Sequence, residues 1–150
     1  MSIGVGLESL IHCRRPTHQV PYYRPASELY VAQNFPRWKR HVTIYEPELK
    51  KIGIDQIKDI FLVRNNAAVK IWFRNNKTLI LGTEQAILTR DGLRKAKDLQ
   101  VDEPVAFCKS RLLWYSGVQQ TEPISSDLYV ITTHKHPCLL IAGCVISTKY

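Results

Sequence analysis

From residue 40 onward, apolar and polar residues alternate along the sequence, and no segment of that region sustains the period of an α-helix. The alternating segments are rich in β-branched and aromatic residues, which suit a pleated, half-buried surface. The strands predicted in this way are 42–45, 57–63, 67–73, 78–82, 85–89, 103–108, 111–115, 127–133 and 138–147. The pattern therefore predicts an all-β fold in which antiparallel strands fold back on one another.

Pairs of small polar residues separate several of these strands. Asn65-Asn66, Asn75-Asn76 and Asp91-Gly92 lie between extended segments, and Asn and Gly tolerate the positive φ that tight turns require. We therefore expect a hairpin turn at each pair. Helical periodicity is confined to residues 26–33 and 93–99, and both predicted helices are short.

The chain is basic, with 150 residues, a formal net charge of +8 and a sequence pI near 9.5. Its densest basic segment is 36–41, where Trp38 lies among Arg37, Lys39 and Arg40. Such a segment could stack a base and contact phosphates, so nucleic-acid binding is one hypothesis. A solvated basic loop anchored by one aromatic ring is the alternative interpretation.

The four cysteines, Cys13, Cys108, Cys138 and Cys144, form no CxxC pair, and a domain of this length does not need disulfides. We expect reduced thiols. The first residues lack the pattern of a secretory signal, and no apolar run is long enough to span a bilayer. The sequence predicts an intracellular protein, or a virion component if it is encoded by a phage.

Two segments resemble conserved blocks of the Hint (hedgehog/intein) superfamily. The first, GTEQAILTRDGLRKAKDL followed by DEPVAF, places Thr83 and Thr89 at the positions of family threonines, but Ala86 stands where the family has a histidine. The second, DLYVITTHKHPCLLIAGCVIST, resembles the terminal blocks of inteins and places His136 at a family histidine. Cys13 is similar to the nucleophile that opens an intein.

The resemblance implies a flattened all-β Hint horseshoe over residues 13–148, with an N-terminal extension (1–12) and a short tail (149–150). The resemblance also implies which catalytic residues protein splicing would require. In the family, a Cys or Ser attacks the preceding carbonyl while a Thr and a His polarise the scissile peptide and protonate its nitrogen. A terminal His-Asn pair then completes splicing, and here those places hold Ser147 and Thr148.

These departures predict a catalytically degenerate domain in which Cys13, Thr83 and His136 are vestigial catalytic residues. Three functions stay open. The first is a protein-binding or structural module, such as a small subunit of a phage particle; the second is a weakly active domain that cleaves before Cys13 by an N–S acyl shift; the third is nucleic-acid binding. No cofactor, membrane or small-molecule substrate is expected.

Two surfaces are candidates for binding. Proline residues predict that 16–36 runs as a loop around the first helix, and we expect protein partners to dock on its aromatic and basic side chains. Those side chains are Tyr22, Tyr23, Phe35, Arg37, Trp38, Lys39 and Arg40. The second candidate is the face around Leu112, Trp114 and Tyr115. A zinc site formed by His134, His136, Cys138 and Cys144 is a less favoured alternative, and we predict no metal.

Overall fold

The computed structural model describes residues 2–14, 22–35, 41–109 and 111–148. The prediction of an all-β fold is confirmed: one α-helix, α1 (Ala26–Ala32), accompanies twelve strands in the described ranges. The strands are β1 (Val5–Gly6), β2 (Leu10–Cys13), β3 (Tyr22–Pro25), β4 (His41–Glu46), β5 (Lys51–Phe73), β6 (Thr78–Gly82), β7 (Ala86–Thr89), β8 (Gly92–Lys95), β9 (Pro104–Lys109), β10 (Leu112–Thr133), β11 (Cys138–Ile141) and β12 (Cys144–Ser147).

All pairings between these strands are antiparallel, and two very long strands organise them. β5 and β10 pair along most of their length; at one end β5 pairs with β4, and at the other end β10 pairs with β9. β1 lies between β6 and β10, so the sheet begins before Cys13. The C-terminal β12 pairs with β7, β9 and β11 at the middle of the fold.

The core consists mainly of aliphatic residues from the inward faces of these strands. Fully buried side chains include Phe73, Leu81, Ile87, Leu128 and Ile146. A smaller cluster is formed by Tyr45, Cys108, Cys138, Leu140 and Val145. Removal of this apolar area from water is the main force that stabilises the folded chain. Within the described part of the chain, no helix is long and apolar enough to cross a bilayer.

Three local predictions are wrong. Asn65-Asn66 lies inside β5, where Asn65 has φ +50° beside a shift in register between β5 and β10. The pair therefore makes a bulge and not a hairpin. Of residues 93–99, which were predicted to be helical, 93–95 belong to strand β8 and only Ala96–Asp98 forms a 3₁₀ turn. Within the predicted loop 16–36, Tyr22–Pro25 is a strand paired with β2.

Candidate functional site: the meeting point of the two chain ends

The first described residues lie against the turn between β6 and β7. The Gly82 N–H donates to the Gly4 carbonyl at 2.9 Å, and the Glu84 N–H donates to the Ser2 carbonyl at 2.7 Å. A Cβ at Gly82 would lie 2.7 Å from the Ser2 oxygen, so this approach of two backbones requires glycine. The N-terminal segment is thereby fixed beside the turn that leads into β7.

One buried side chain, Gln85, joins this N-terminal segment to the C-terminal strand. Its side chain is fully buried, and its Oε1 accepts the Gly4 N–H at 3.0 Å. Its Nε2 donates to the Ser147 carbonyl at 2.6 Å and to the Ala86 carbonyl at 3.2 Å. An amide has one oxygen acceptor and two N–H donors, and here each finds a partner.

Sequence comparison missed Gln85 because the family spacing pointed to Ala86. Ala86 is half-buried and pairs with Lys95 on β8, and its side chain carries no polar group. The alternation of side-chain directions along this segment does point to residue 85. Residues 85, 87 and 89 share one face, and Ile87 and Thr89 on that face are buried. A polar residue on a buried face needs a hydrogen-bond partner.

Thr83 lies at the turn near this site, where it makes backbone contacts. Its N–H donates to the Ala67 carbonyl at 3.3 Å, and its carbonyl accepts the Lys97 N–H at 3.0 Å. The Ser2 hydroxyl also donates to the Ala67 carbonyl. Beside the turn, the Glu84 carboxylate contacts Lys95 and Lys97, and hydrogen bonds from these two side chains lower its pKa to about 2.

Cys13 lies elsewhere, at the end of β2 between Tyr22 and Val42. Its thiol is buried and contacts the Ile11 carbonyl at 3.5 Å. Burial raises the pKa of Cys13 to about 12, although Arg24 acts in the opposite direction. No described contact joins Cys13 to Thr83, Gln85 or His136. A thiol in this state is protonated at neutral pH, and the thiolate is the nucleophilic form.

His136 lies in the loop before β11, between two carboxylates. Its Nε2 is 3.2 Å from Glu46 Oε1, and its Nδ1 is 3.5 Å from Asp55 Oδ2. Asp55 is buried and accepts backbone N–H groups from Gln56, Lys135 and His136 at 2.7–2.9 Å. Burial raises the pKa of Asp55, but these hydrogen bonds outweigh that effect and lower it. The arrangement holds the loop in place.

The C-terminal end is held by the same loop. The Thr148 hydroxyl donates to the Pro137 carbonyl at 3.0 Å and lies 3.1 Å from the Thr133 hydroxyl, which itself donates to the His136 carbonyl. Ser147 and Thr148 are both buried. His136 and the C-terminal residues are therefore brought together, whereas Cys13 is not part of this group.

The residues of the less favoured zinc alternative lie in unlike environments. His134 is exposed, Cys138 and Cys144 are buried in apolar surroundings, and burial raises the pKa of Cys138 to about 11. Among the residues that the structure describes, no three His, Cys, Asp or Glu side chains converge on a point suited to a metal ion.

The predicted docking residues fall partly on the surface. Tyr23 is half-exposed, with its edge against His12, and Phe35 is 63% exposed. Tyr22 is half-buried, and the Arg24 guanidinium lies 5.4 Å from its ring centre. The remaining predicted residues, Arg37, Trp38, Lys39 and Arg40, lie outside the described residues.

Solved structures share this arrangement of strands over nearly the whole chain. A DnaB intein from Synechocystis sp. PCC 6803 superposes with a TM-score of 0.82, at 11% identity, over 99% of both chains. An intein from a hyperthermophile gives 0.81 at 11% identity, over 97% of this chain and 99% of that one. This chain has the fold of an intein.

The transcription factor IIB Mvu mini-intein gives a TM-score of 0.79 at 12% identity, over 97% and 99% of the two chains. No family model and no curated protein matches the sequence. The resemblance to the Hint superfamily is thus confirmed for the fold. At these identities the likeness concerns the fold alone, and the chemistry must be judged from the residues of this chain.

Proposed function

We propose that this Hint domain is catalytically degenerate and acts as a protein-binding or structural module. The observation that carries the proposal is the hydrogen bond between the Gln85 side chain and the backbone of Gly4. Gln85 accepts the N–H of Gly4, much as the family histidine acts on the nitrogen of the scissile peptide, so we infer that the Ile3–Gly4 peptide corresponds to that peptide. Gly4, which follows that peptide bond, has no side chain and therefore carries no nucleophile.

The surroundings of Gly4 also exclude a nucleophile. Gly4 has φ +120°, and a Cβ at this position would lie 2.7 Å from the Tyr129 carbonyl oxygen and 3.2 Å from the Leu128 Cβ. A real Cβ does not approach a backbone oxygen so closely, and an L-residue rarely adopts this φ. Neither Cys nor Ser fits there without a shift of β1 or β10.

The remaining steps of splicing lack their groups as well. A carboxamide neither ionises nor becomes protonated near neutral pH, so Gln85 cannot serve as the general acid for a leaving nitrogen. At the C-terminal end, Ser147 and Thr148 carry no side-chain amide that could cyclise. Cleavage before Cys13 has less support, because burial disfavours the thiolate of that residue.

A role in binding is supported by exposed apolar side chains on a basic chain. Phe35, Leu112 and Trp114 are each at least 60% exposed, and the chain carries eight more positive than negative charges. Aromatic and cationic groups are frequent anchors at protein interfaces. We therefore propose protein subunits as partners, with a phage particle as one setting; nucleic acid is the alternative.

Intact-mass spectrometry of the purified chain tests the loss of chemistry. We expect the mass to stay unchanged after prolonged incubation with a thiol or with hydroxylamine, each of which would capture a thioester. A fragment that begins at Cys13, lost in Cys13→Ala and retained in the control Cys108→Ala, would contradict the proposal. Both cysteines are buried, so the control matches the packing change.

A further inference from the structure

The short hairpin of β9 and β10 ends the sheet with an unpaired edge. Residues 112–117 of β10 pair with β9, and β10 pairs with β5 only from Val118 onward. In the described residues, no strand lies on the other side of 112–117. An open edge of this kind is a template for another strand.

The hydrogen bonds around the hairpin show which groups point to that edge. The Cys108 N–H donates to the Gly143 carbonyl at 2.7 Å, so it points away from β10. Cys108 is opposite Leu113, and this pair is therefore of the type that exchanges no hydrogen bonds. It follows that the N–H and C=O groups of Leu113 and Tyr115 point to the open edge.

The same alternation of backbone directions shows where the unpaired edge ends. The Gly117 carbonyl, two residues beyond Tyr115, points in the same direction and accepts the Arg74 N–H at 3.0 Å. The edge therefore offers four backbone groups, from Leu113 and Tyr115, before Arg74 occupies the next one. A single extended segment could pair with all four.

Exposed apolar side chains flank this edge. Leu112 is 60%, Trp114 61% and Tyr115 42% exposed. Leu113 packs inward on the cluster that contains Cys108 and Cys138, which fixes the strand. An incoming segment would thus find anchors for its side chains as well as partners for its backbone.

The charge beside the edge is positive. Lys109 lies opposite Leu112, Arg111 is in the turn, and the Arg90 guanidinium stacks 4.9 Å from the Tyr115 ring centre. No ion pair among the described residues uses these three cations. The acidic residues at the base of the hairpin are already paired, Asp102 with Arg74 and Glu103 with Arg94.

We propose that the edge of residues 112–117 takes up an extended, acidic segment of a partner protein, which adds to the sheet as a strand. The inference rests on the proposed binding function and names its surface and its partner class. Two copies of this chain would bring both sets of three cations into one interface, so a second copy is disfavoured. The unpaired backbone groups favour a polypeptide over a polynucleotide.

Binding of a synthetic peptide, measured by isothermal titration calorimetry at low salt, tests the proposal. The probe is a nine-residue peptide of alternating Glu and Val, compared with a Lys-Val peptide and with the Glu-Val peptide N-methylated at alternate residues. Only the unmodified acidic peptide should bind, because N-methylation removes the donors of a strand but leaves side chains and charge. Equal binding of the N-methylated peptide would overturn strand addition.

Variants locate the site. Lys109→Glu with Arg111→Glu should weaken binding by about tenfold or more, and Trp114→Ala by at least about fivefold. The controls Lys51→Glu and Leu49→Ala change exposed residues of the same types in the β4–β5 hairpin and should have no effect. Melting temperatures confirm that each variant folds.

The other outcomes count against the proposal. Absence of binding by the acidic peptide, concentration-dependent dimerisation through Trp114, or tighter binding of oligothymidine that is lost in the same variants would each overturn it. A failure here with an unchanged intact mass would leave the degenerate-domain proposal standing. Self-cleavage of the chain would overturn that proposal whatever the peptide does.

Discussion

Replacement of Gln85 by leucine tests the view that this side chain fastens the two chain ends together. Leucine is similar in size and apolar, so the packing volume is nearly kept while the amide is lost. The Gly4 N–H and the Ser147 carbonyl would lose their side-chain partner in a buried place. The buried Gly4 N–H would then be unpaired, which costs roughly 1–3 kcal/mol, so we expect a loss of about 1–3 kcal/mol in the free energy of unfolding.

Thermal unfolding provides the assay. A domain of this size changes its Tm by about 2–4 °C per kcal/mol, so Gln85→Leu should melt roughly 2–12 °C lower. Gln120→Leu, in an exposed stretch of β10, is the matched control and should stay near the parent value. Hydrogen exchange should also accelerate at the Gly4 amide. A parental Tm with an equally protected Gly4 amide would refute the role assigned to Gln85.

Other contacts lead to three further predictions. Gly4→Ala should cost at least about 2 kcal/mol in chemical denaturation, and more than Gly92→Ala, because both have positive φ but only Gly4 has a backbone oxygen in the way. The pKa of Asp55 is lowered in the folded state, so its stabilising contribution is present above the unfolded pKa of about 3.9 and is lost as the pH falls through the folded pKa. In Asp55→Asn, the free energy of unfolding should therefore fall less steeply as the pH is lowered through this range. Cys13, with a pKa raised to about 12 by burial, should resist a disulfide reagent at pH 8 until the chain is denatured, and reaction in the native state would contradict its placement.

The fold could be predicted because alternation and strand-forming residues recur along the chain after residue 40. Local signals failed where pairing with a distant strand decided the structure. Asn65 does adopt the positive φ that its sequence favours, but β10 lies beside it, so the chain bulges and continues. Residues 93–95 have good helix formers, yet they pair with β7, and this pairing outweighs a weak helical propensity.

The site could be predicted less well, because catalytic residues were assigned by spacing along the chain. Spacing placed a family histidine at Ala86, whereas the direction of side chains places the buried polar group at Gln85. The environment of Cys13 was equally hidden. Its neighbouring arginine residues in the sequence favour a thiolate, but the thiol is buried, and burial determines its pKa. Neither fact can be read from a motif.

If the domain is catalytically degenerate, as proposed above, a glutamine at this position also accounts for how the fold persists without splicing chemistry. A neutral histidine offers one donor and one acceptor, and it could satisfy the Gly4 N–H and the Ser147 carbonyl only in one tautomer. When protonated, the imidazole has two N–H donors and no acceptor, so it could not accept the Gly4 N–H. The proton that a general acid needs would therefore break this hydrogen bond. The amide of Gln85 has an acceptor on one side and donors on the other and does not titrate. It therefore keeps both chain ends paired at every pH at which the domain is folded.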